Sequence, residues 1–230
     1  MKRMRQILHC ALAAILLLAS QTFGVCAETN AVHNFNKWER EIAAYEQKDA
    51  TNPPPKGAIV FTGSSTIARW KTLAQDFPDQ PVLNRGFGGS EVVDATHFAE
   101  RLIFPYEPKM VFFRAGGNDL AAGKSVEQVF SDFQEFVEKV HARLPETKIA
   151  FISWGPTPSR WAQHEREKQF NALAAGYITG KPYLKYIETY DLPLGTNGLP
   201  RAELFVADKL HFNASGYKLL AERVRPFLPK

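Results

Sequence analysis

Cysteine is nearly absent from this chain of 230 residues, which contains only Cys10 and Cys26. Both lie within residues 1–27, which have the pattern of a secretory signal peptide. Basic residues come first, the apolar run ALAAILLLA follows, and Val25-Cys26-Ala27 forms a small-residue cleavage site. If this segment is removed, residues 28–230 contain no thiol. The predicted mature chain then excludes a disulfide, a thiolate metal site and a cysteine nucleophile.

An excess of one charge sign is also lacking once the signal is removed. The whole chain has a net charge of +4, and loss of residues 1–27 removes three basic residues and no acidic ones, which leaves +1. A nearly neutral chain without a dense run of Lys and Arg does not indicate nucleic acid or an anionic surface as a partner. No other apolar run approaches the roughly 18 residues that a membrane span needs. We expect an exported protein, periplasmic or secreted, with no stable membrane insertion. The alternative is a lipid anchor at Cys26.

Short apolar segments alternate with amphipathic segments along the rest of the chain. The pattern predicts strands at about 58–61, 82–84, 110–113, 149–153 and 186–189, and helices at about 33–50, 91–103, 125–143, 162–178 and 214–225. Apolar strands that alternate with amphipathic helices indicate a parallel sheet covered on both faces. We therefore predict an α/β fold with a parallel sheet of about five strands, formed by residues 28–230 as one domain.

The stretch AIVFTGSSTIARW, residues 58–70, reads as a strand, a tight turn and a helix that opens at Ser65 or Thr66. A hydroxyl at the carboxyl end of a strand lies where open α/β sheets keep their sites. The first N–H groups of the helix favour a developing anion. This placement suits a nucleophile. The alternative is that Ser65 or Thr66 only caps the helix, as Ser and Thr often do.

Glycine-rich turns follow three of the predicted strands. They contain Gly63, then Gly86, Gly88 and Gly89, then Gly116-Gly117. Because the carboxyl ends of parallel strands meet at one edge of a sheet, these turns indicate a shared cleft where the backbone approaches a substrate. The middle turn lacks the glycine spacing of a dinucleotide fingerprint, so we do not expect a nucleotide site.

Two polar positions add to this edge of the predicted sheet. Asn118 follows Gly116-Gly117, and its amide could donate a hydrogen bond to an oxyanion, although it could equally satisfy its own turn. His211 precedes the last helix and follows Asp208 by three residues. A short turn would bring the Asp208 carboxylate to the Nδ1–H of His211 and leave Nε2 free as a base. Asp208 could also only cap the turn, and one His with one Asp provides too few ligands for a closed zinc site.

These residues fit one mechanism. Ser65 would supply the hydroxyl, His211 the base and Asp208 the orienting carboxylate. The N–H groups of Ser65 and Gly89 and the side chain of Asn118 could provide the oxyanion donors.

Four blocks of the chain, in the right order, resemble the motifs of the SGNH (GDSL-type) hydrolase family. They are FTGSST, NRGFGG, AGGND and DKLH. By this resemblance Ser65 has the position of the family's nucleophile, and Gly89 and Asn118 have the positions of its oxyanion donors. Asp208 and His211 have the two remaining triad positions. The resemblance implies a three-layer, flavodoxin-like fold and ester hydrolysis through an acyl-enzyme, with no metal or organic cofactor. The family often has Gly-Asp-Ser where this chain has Gly63-Ser64-Ser65. Spacing alone does not exclude Ser64 as the nucleophile. It also does not decide which of Gly86, Gly88 and Gly89 donates its backbone N–H to the oxyanion.

We therefore expect a serine esterase that acts on short acyl or acetyl esters of carbohydrates or small alcohols. No apolar lid segment stands out, which argues against a long-chain lipase. Trp154, Arg160 and Trp161 follow the fourth strand and could line the substrate pocket, or the two tryptophans could only cover the core. Acyl transfer to a sugar, lysophospholipase or thioesterase activity with the same triad, and a non-catalytic binding module are the alternatives.

Overall fold

A parallel sheet of five strands lies at the centre of the computed structural model, which describes residues 33–229. In chain order the strands of this part are β1 (Ile59–Gly63), β2 (Val82–Gly86), β3 (Met110–Arg114), β4 (Lys148–Ile152) and β5 (Leu184–Ile187). Their order in the sheet is β2-β1-β3-β4-β5, and every neighbouring pair is parallel. The predicted α/β class and number of strands are confirmed, and the strand order is that of a flavodoxin-like doubly wound sheet.

Helices cover both faces of this sheet. They are α1 (Glu39–Thr51), α2 (Ser65–Ala68), α3 (Leu73–Asp76), α4 (Val92–His97), α5 (Ala99–Leu102), α6 (Gly117–Ala121), α7 (Val126–Arg143), α8 (His164–Ile178) and α9 (Ala214–Val224). Short 3-10 segments cover Phe35–Trp38, Phe104–Tyr106, Pro158–Gln163, Ala202–Leu204 and Arg225–Phe227. From Asn34 onward the described residues cluster into one unit.

Alternate side chains of each strand enter two separate apolar cores. Val60 and Val111 pack on one face with α1, α4, α5, α7 and α8, whereas Ile59 and Phe112 pack on the other face with α2, α3 and α9. Because successive side chains of a strand point to opposite faces, a strand covered on both sides is apolar over most of its length. This explains the continuous apolar runs of β1 and β3, whose residues are all buried.

Some predicted boundaries were wrong. The helix expected through residue 103 is interrupted at Phe98, whose ψ of 6° is not helical. The fifth strand ends at Ile187 because Thr189 leaves the sheet, and its N–H donates to Ser153 Oγ over 2.7 Å. The N-cap of α2 is Ser64, so neither Ser65 nor Thr66 takes that position.

The predicted signal peptide of residues 1–27, its cleavage site and the Cys26 anchor lie outside the described residues. They stay predictions, as does export. Among residues 33–229, no helix combines the length and apolar character needed to cross a membrane.

Candidate active site

The predicted site residues meet at the carboxyl edge of the sheet. Ser65 follows β1 and Asn118 follows β3, on either side of the point where the strand order reverses. Open α/β sheets bind ligands at such a switch point because loops from neighbouring strands diverge there and leave a crevice. The fold therefore brings together two segments that lie about fifty residues apart in the sequence.

The turn after β1 depends on Gly63. Its φ is +128°, and a Cβ at this position would lie 2.1 Å from the carbonyl oxygen of Arg114 on the neighbouring strand. Only glycine allows this approach. The N–H of Ser64 then donates to the same Arg114 oxygen over 3.0 Å, which holds the turn against β3. Ser65 consequently begins α2 at the edge of the sheet.

The DKLH segment forms the tight turn that its sequence predicts. Asp208 Oδ1 accepts the backbone N–H groups of Leu210 and His211, each over 2.9 Å. Lys209 takes a left-handed φ of +56° to complete the turn. Asp208 Oδ2 lies 2.7 Å from His211 Nδ1. An ionised carboxylate only accepts hydrogen bonds, so the proton of the neutral imidazole is on Nδ1.

The other imidazole nitrogen faces Ser65. His211 Nε2 lies 2.8 Å from Ser65 Oγ, although 146 positions separate the two residues in the chain. With Nδ1 protonated, Nε2 is the acceptor and the Ser65 hydroxyl donates. This hydrogen bond involves Ser65 and not Ser64, so the geometry distinguishes two hydroxyls that the spacing could not.

The electrostatics of this turn favour an ionised Asp208. The hydrogen bonds from the His211 side chain and from the backbone N–H groups of His211 and Leu210 hold the pKa of Asp208 well below its usual range. The Arg69 guanidinium lies 3.7 Å from the same carboxylate, but both side chains are largely exposed and this pair contributes little. The carboxylate beside His211 is therefore negative under all ordinary conditions.

Asn118 is held in one orientation by hydrogen bonds on both sides of its amide. Its Nδ2 donates to the carbonyl oxygen of Ser90 over 2.9 Å, and its Oδ1 accepts from Arg160 Nη2 over 2.9 Å. Arg160 Nη1 also donates to the Gly117 carbonyl oxygen over 3.1 Å. An amide nitrogen carries two hydrogens, so one N–H of Asn118 is left for a further acceptor.

The three glycines of the second turn differ in how their N–H groups are used. The Gly86 N–H donates to Asn84 Oδ1 over 3.0 Å. Burial raises the pKa of Glu41, and the backbone N–H of Gly88 nearby opposes this rise. Within residues 33–229, the Gly89 N–H has no hydrogen-bond partner. Gly89 has a φ of +76° and precedes Ser90, the partner of Asn118. Gly89 thus has an available donor and stands next in the chain to the residue that Asn118 contacts.

A cavity of about 60 Å³ lies beside Ser65 and His211. Asn118, Trp154 and Arg160 are among the residues that line it. Trp154 also belongs to the core, where it stacks on Phe170 with ring centroids 4.4 Å apart, so it both covers the core and lines the cavity. Trp161 instead stacks on His164 at 4.1 Å, and it is not among the residues that line the cavity.

Two buried charged residues at the cavity were missed by the sequence analysis. Arg114, the last residue of β3, donates to the Ser153 carbonyl oxygen and to Thr189 Oγ1, and burial lowers its pKa to about 10. Glu167 is 3% exposed, and burial raises its pKa. Glu167 shares the buried face of α8 with Phe170, Asn171, Ala174 and Ile178. Glu167 lies at helical spacing from these buried residues, and an acidic residue on the buried face of a helix is a sequence feature that could have indicated it.

No group of three or more His, Cys, Asp or Glu side chains that could hold a metal ion occurs within residues 33–229. The polar atoms of the site are instead those of a hydroxyl, an imidazole, a carboxylate and an amide. In this order they can supply a nucleophile, a base, an orienting group and an oxyanion donor.

The chain is similar to known proteins in both sequence and structure. The sequence profile of the GDSL-like lipase/acylhydrolase family matches residues 54–219. No curated protein gives a significant match. A Streptococcus pneumonia protein, described provisionally as a platelet activating factor, superimposes with a TM-score of 0.74 at 18% identity, over 85% of this chain and 94% of that chain.

Two further solved structures are similar at comparable identities. A GDSL-like lipase from Bacteroides thetaiotaomicron gives a TM-score of 0.69 at 19% identity, over 84% of this chain and 98% of that chain. A carbohydrate esterase of family 3 from Talaromyces cellulolyticus gives 0.59 at 14% identity, over 74% and 95%. At sequence identities this low, similarity to a solved structure is evidence for the fold alone. The family profile covers well over half of the chain, so the protein is a hydrolase of ester bonds and, as the resemblance to SGNH hydrolases predicted, it belongs to the GDSL-like lipase/acylhydrolase family.

Proposed function

We propose that this protein is a serine esterase that hydrolyses short-chain acyl esters through an acyl-enzyme on Ser65. The observation that carries the proposal is the unbroken chain of hydrogen bonds from Asp208 to His211 and from His211 to Ser65, with distances of 2.7 and 2.8 Å. A nucleophile, a base and an orienting group in contact are the signature of covalent acyl transfer.

The first half of the reaction acylates the enzyme. Ser65 Oγ attacks the ester carbonyl carbon while His211 Nε2 takes the hydroxyl proton. The carbonyl electron pair moves onto oxygen, where the remaining N–H of Asn118 and the Gly89 N–H stabilise the negative charge. The tetrahedral intermediate collapses, the bond to the alcohol oxygen breaks, and His211 returns its proton to that oxygen.

The second half releases the acid. A water molecule gives a proton to His211 Nε2 and attacks the acyl carbon. The bond to Ser65 Oγ breaks, the proton returns to Ser65, and the carboxylic acid leaves. Asp208 keeps its charge in both halves because its pKa is held low, and its negative charge stabilises the imidazolium that forms in each half.

Arg160 acts here as a positioning residue. Its guanidinium binds Asn118 Oδ1 and the Gly117 carbonyl oxygen, so it fixes which end of the amide is the donor. A charged donor on Oδ1 also draws electron density from the amide, and this strengthens the N–H groups of Asn118 as donors.

The size of the cavity supports a short acyl group. Its volume of about 60 Å³ is far below the roughly 300–1,000 Å³ of a pocket that encloses a drug-sized ligand. A group such as acetyl fits beside Ser65, whereas a long acyl chain would have to extend out of the site. Acetyl esters of carbohydrates or small alcohols are therefore the proposed substrates.

The test is the hydrolysis of p-nitrophenyl acetate and butyrate by the wild type, by Ser65→Ala and by the matched control Ser64→Ala. We expect kcat to fall at least about 10⁴-fold in Ser65→Ala, because the whole nucleophilic pathway is lost. The Ser64→Ala variant should stay within about tenfold of wild type, since its hydroxyl has no contact with His211. Equal activity of wild type and Ser65→Ala would overturn the assignment.

Other measurements separate the competing functions. Acyl transfer predicts an acylated sugar when an acceptor sugar is added, whereas hydrolysis predicts free acid alone. A rate that keeps rising with acyl chain length would favour a lysophospholipase or thioesterase. A non-catalytic binding module predicts ligand binding that does not change in Ser65→Ala.

A further inference from the structure

Three buried polar atoms, all in residues that line the cavity, have no hydrogen-bond partner in the described part of the chain. Trp154 Nε1, Thr157 Oγ1 and Glu167 Oε2 are buried and have no hydrogen-bond partner, and all three residues line the cavity beside Ser65. In the described part of the chain, the other two such atoms belong to His141 and Arg201, which do not line it.

The grouping of three unpartnered polar atoms in residues around one cavity requires an explanation. A buried polar atom without a partner destabilises the folded state, and native proteins contain few of them. Their residues line a cavity next to a nucleophile, so a polar group that enters this cavity is the candidate partner for them. Neither the catalytic residues nor the oxyanion donors use these three atoms.

The chemistry of the three atoms restricts the group that fits. Trp154 Nε1–H only donates, an ionised Glu167 only accepts, and the Thr157 hydroxyl does both. The matching group must therefore accept and donate at once. A hydroxyl does so, whereas an alkyl group does neither and a carbonyl oxygen only accepts.

The charges around the cavity make an ionic group a poorer match than a neutral one. A carboxylate would face Glu167, and an ammonium group would face the guanidinium groups of Arg114 and Arg160. Those guanidinium groups already bind protein oxygens on Ser153 and Asn118. A neutral group is left as the best match.

We infer that the cavity beside Ser65 is a subsite for a neutral hydroxyl group of the ester substrate, bound by Trp154, Thr157 and Glu167. This rests on the proposed esterase function and deepens it, because it selects esters of polyols or of hydroxy acids over simple alkyl esters. The raised pKa of Glu167 is compatible with the subsite, since a hydroxyl can donate to the ionised carboxylate or accept from the protonated one.

The test uses pairs of esters in which a hydroxyl replaces a methyl group. On the acyl side the pair is ethyl glycolate and ethyl propionate, and on the alcohol side it is 2-hydroxyethyl acetate and propyl acetate. Rates of the purified enzyme are measured by titration of released acid and divided by the rate of alkaline hydrolysis of each ester, which removes differences in intrinsic reactivity. We expect kcat/KM to favour the hydroxyl ester at least about tenfold in one of the two pairs. The pair that shows the preference reveals which side of the ester enters the cavity.

Variants then assign the preference to the subsite. Thr157→Val and Trp154→Phe each remove one polar atom while keeping most of the side-chain shape, and each should lower the hydroxyl-to-methyl ratio towards one. Thr157 is half-buried, so its variant keeps the test usable if Trp154→Phe folds poorly. Glu165→Gln, an exposed change on α8 two residues before Glu167, should leave both the ratio and the activity as in wild type. The ratio is diagnostic because a general loss of folded enzyme lowers both rates equally.

Two outcomes contradict the inference, and they are distinguishable. Hydrolysis of both esters in each pair at equal normalised rates overturns the subsite but leaves the esterase function intact. No hydrolysis of any ester by the wild type overturns the esterase function and the subsite with it. A tenfold preference that survives in both variants also removes the subsite assignment.

Discussion

At the scale of single residues, Asp208 uses its two carboxylate oxygens for different purposes. Oδ1 holds the turn by accepting two backbone N–H groups, and Oδ2 accepts the Nδ1–H of His211. The first contact shapes the loop and the second selects the imidazole tautomer. An uncharged substitute of the same shape separates these contributions.

For Asp208→Asn we expect kcat to fall by about 10⁴-fold. If the amide oxygen keeps the two backbone contacts, the amide NH₂ faces His211 and forces Nδ1 to accept. Nε2 then carries the proton and cannot act as a base. The measurement is kcat on p-nitrophenyl acetate, with the exposed change Asp191→Asn as control. A loss below tenfold would show that the tautomer is not set by Asp208.

The low pKa of Asp208 predicts the shape of the pH profile. A carboxyl whose pKa is depressed on folding contributes stability above its unfolded pKa of about 3.9, and this contribution is lost as the pH falls through the lower folded value. Above about pH 4 Asp208 therefore stays ionised, so it adds no protonation step of its own to the loss of activity in acid. We expect the acidic limb of kcat/KM to have a slope of one. A slope of two would contradict this assignment.

Asn118 and Arg160 should behave as a coupled pair. Asn118→Ala removes an oxyanion donor and should lower kcat by about 10²–10³. Arg160→Met should lower kcat about tenfold or more. Arg160→Lys keeps the positive charge but not the two-pronged guanidinium, and it should recover part of the loss. Because Arg160 acts through Asn118, the double variant should be little worse than Asn118→Ala alone. Additive losses in this cycle would mean that Arg160 acts separately.

At the scale of elements, one lysine joins three helices behind the site. Lys124 Nζ lies 2.9 Å from Glu91 at the start of α4, 3.0 Å from Asp119 in α6 and 2.9 Å from Asp132 in α7. Burial alone would lower the pKa of Lys124, but these carboxylates raise it above its usual range. Asp119 follows Asn118 directly, so this cluster holds the segment that carries the oxyanion donor.

Lys124→Met should therefore destabilise the protein. Removal of the cation leaves a cluster of three carboxylates, two of them buried, without a compensating positive charge. We therefore expect the free energy of unfolding to fall by about 3–5 kcal/mol at pH 7.5. Urea unfolding measures the change. The control is Lys139→Met, whose single ion pair with Glu100 is exposed and should contribute at most about 1 kcal/mol.

The same variant has a predictable dependence on pH. Burial raises the pKa of Asp119 to about 6, so the folded state binds this proton more tightly than the unfolded state. The contribution of Asp119 to stability is then greatest below about pH 4 and decreases as the pH rises towards 6. Without Lys124 this decrease should be larger, and the loss in Lys124→Met should be smaller at pH 5 than at pH 7.5. An equal loss at both pH values would contradict the electrostatic explanation.

At the scale of the whole molecule, α1 supports the glycine-rich turn although it precedes the part of the chain matched by the family profile. Tyr45 Oη donates to the Gly86 carbonyl oxygen over 2.6 Å. Trp38 packs edge-on against Phe87 and lies close to Gly89. The N-terminal helix is thereby part of the core and of the site's support.

Trp38→Ala should lower the free energy of unfolding by about 3–5 kcal/mol, because it leaves a cavity in the core. We also expect a lower kcat at temperatures where the variant is fully folded, since the Gly89 turn loses its support. Urea unfolding and kcat on p-nitrophenyl acetate test the two effects. The exposed change Leu199→Ala should stay within about 0.5 kcal/mol of wild type. Unchanged kcat in folded Trp38→Ala would show that the turn holds its shape without the Trp38 side chain.

Local patterns explain why so much of the fold could be predicted. The apolar runs that became β1 and β3 are recognisable in the sequence because strands covered on both faces are apolar over most of their length. The tight turn at Gly63 and the fold-back of Asp208 onto His211 span only a few residues, so residue type alone indicates them. Boundaries such as the end of β5 were wrong because they depend on a contact between Thr189 and Ser153, which lie 36 residues apart.

The sequence by itself determined the fold class, the order of the elements and the residue types available for chemistry. The tertiary structure decided that His211 bonds Ser65 and not Ser64, that Gly89 has the available N–H, and that Arg160 binds Asn118. It also placed Arg114, Thr157 and Glu167 around one cavity. These choices depend on distances of about 3 Å between segments far apart in the chain, and such distances are set by how the helices pack on the sheet. A sequence pattern encodes the periodicity of one element, but not the positions of two elements relative to each other.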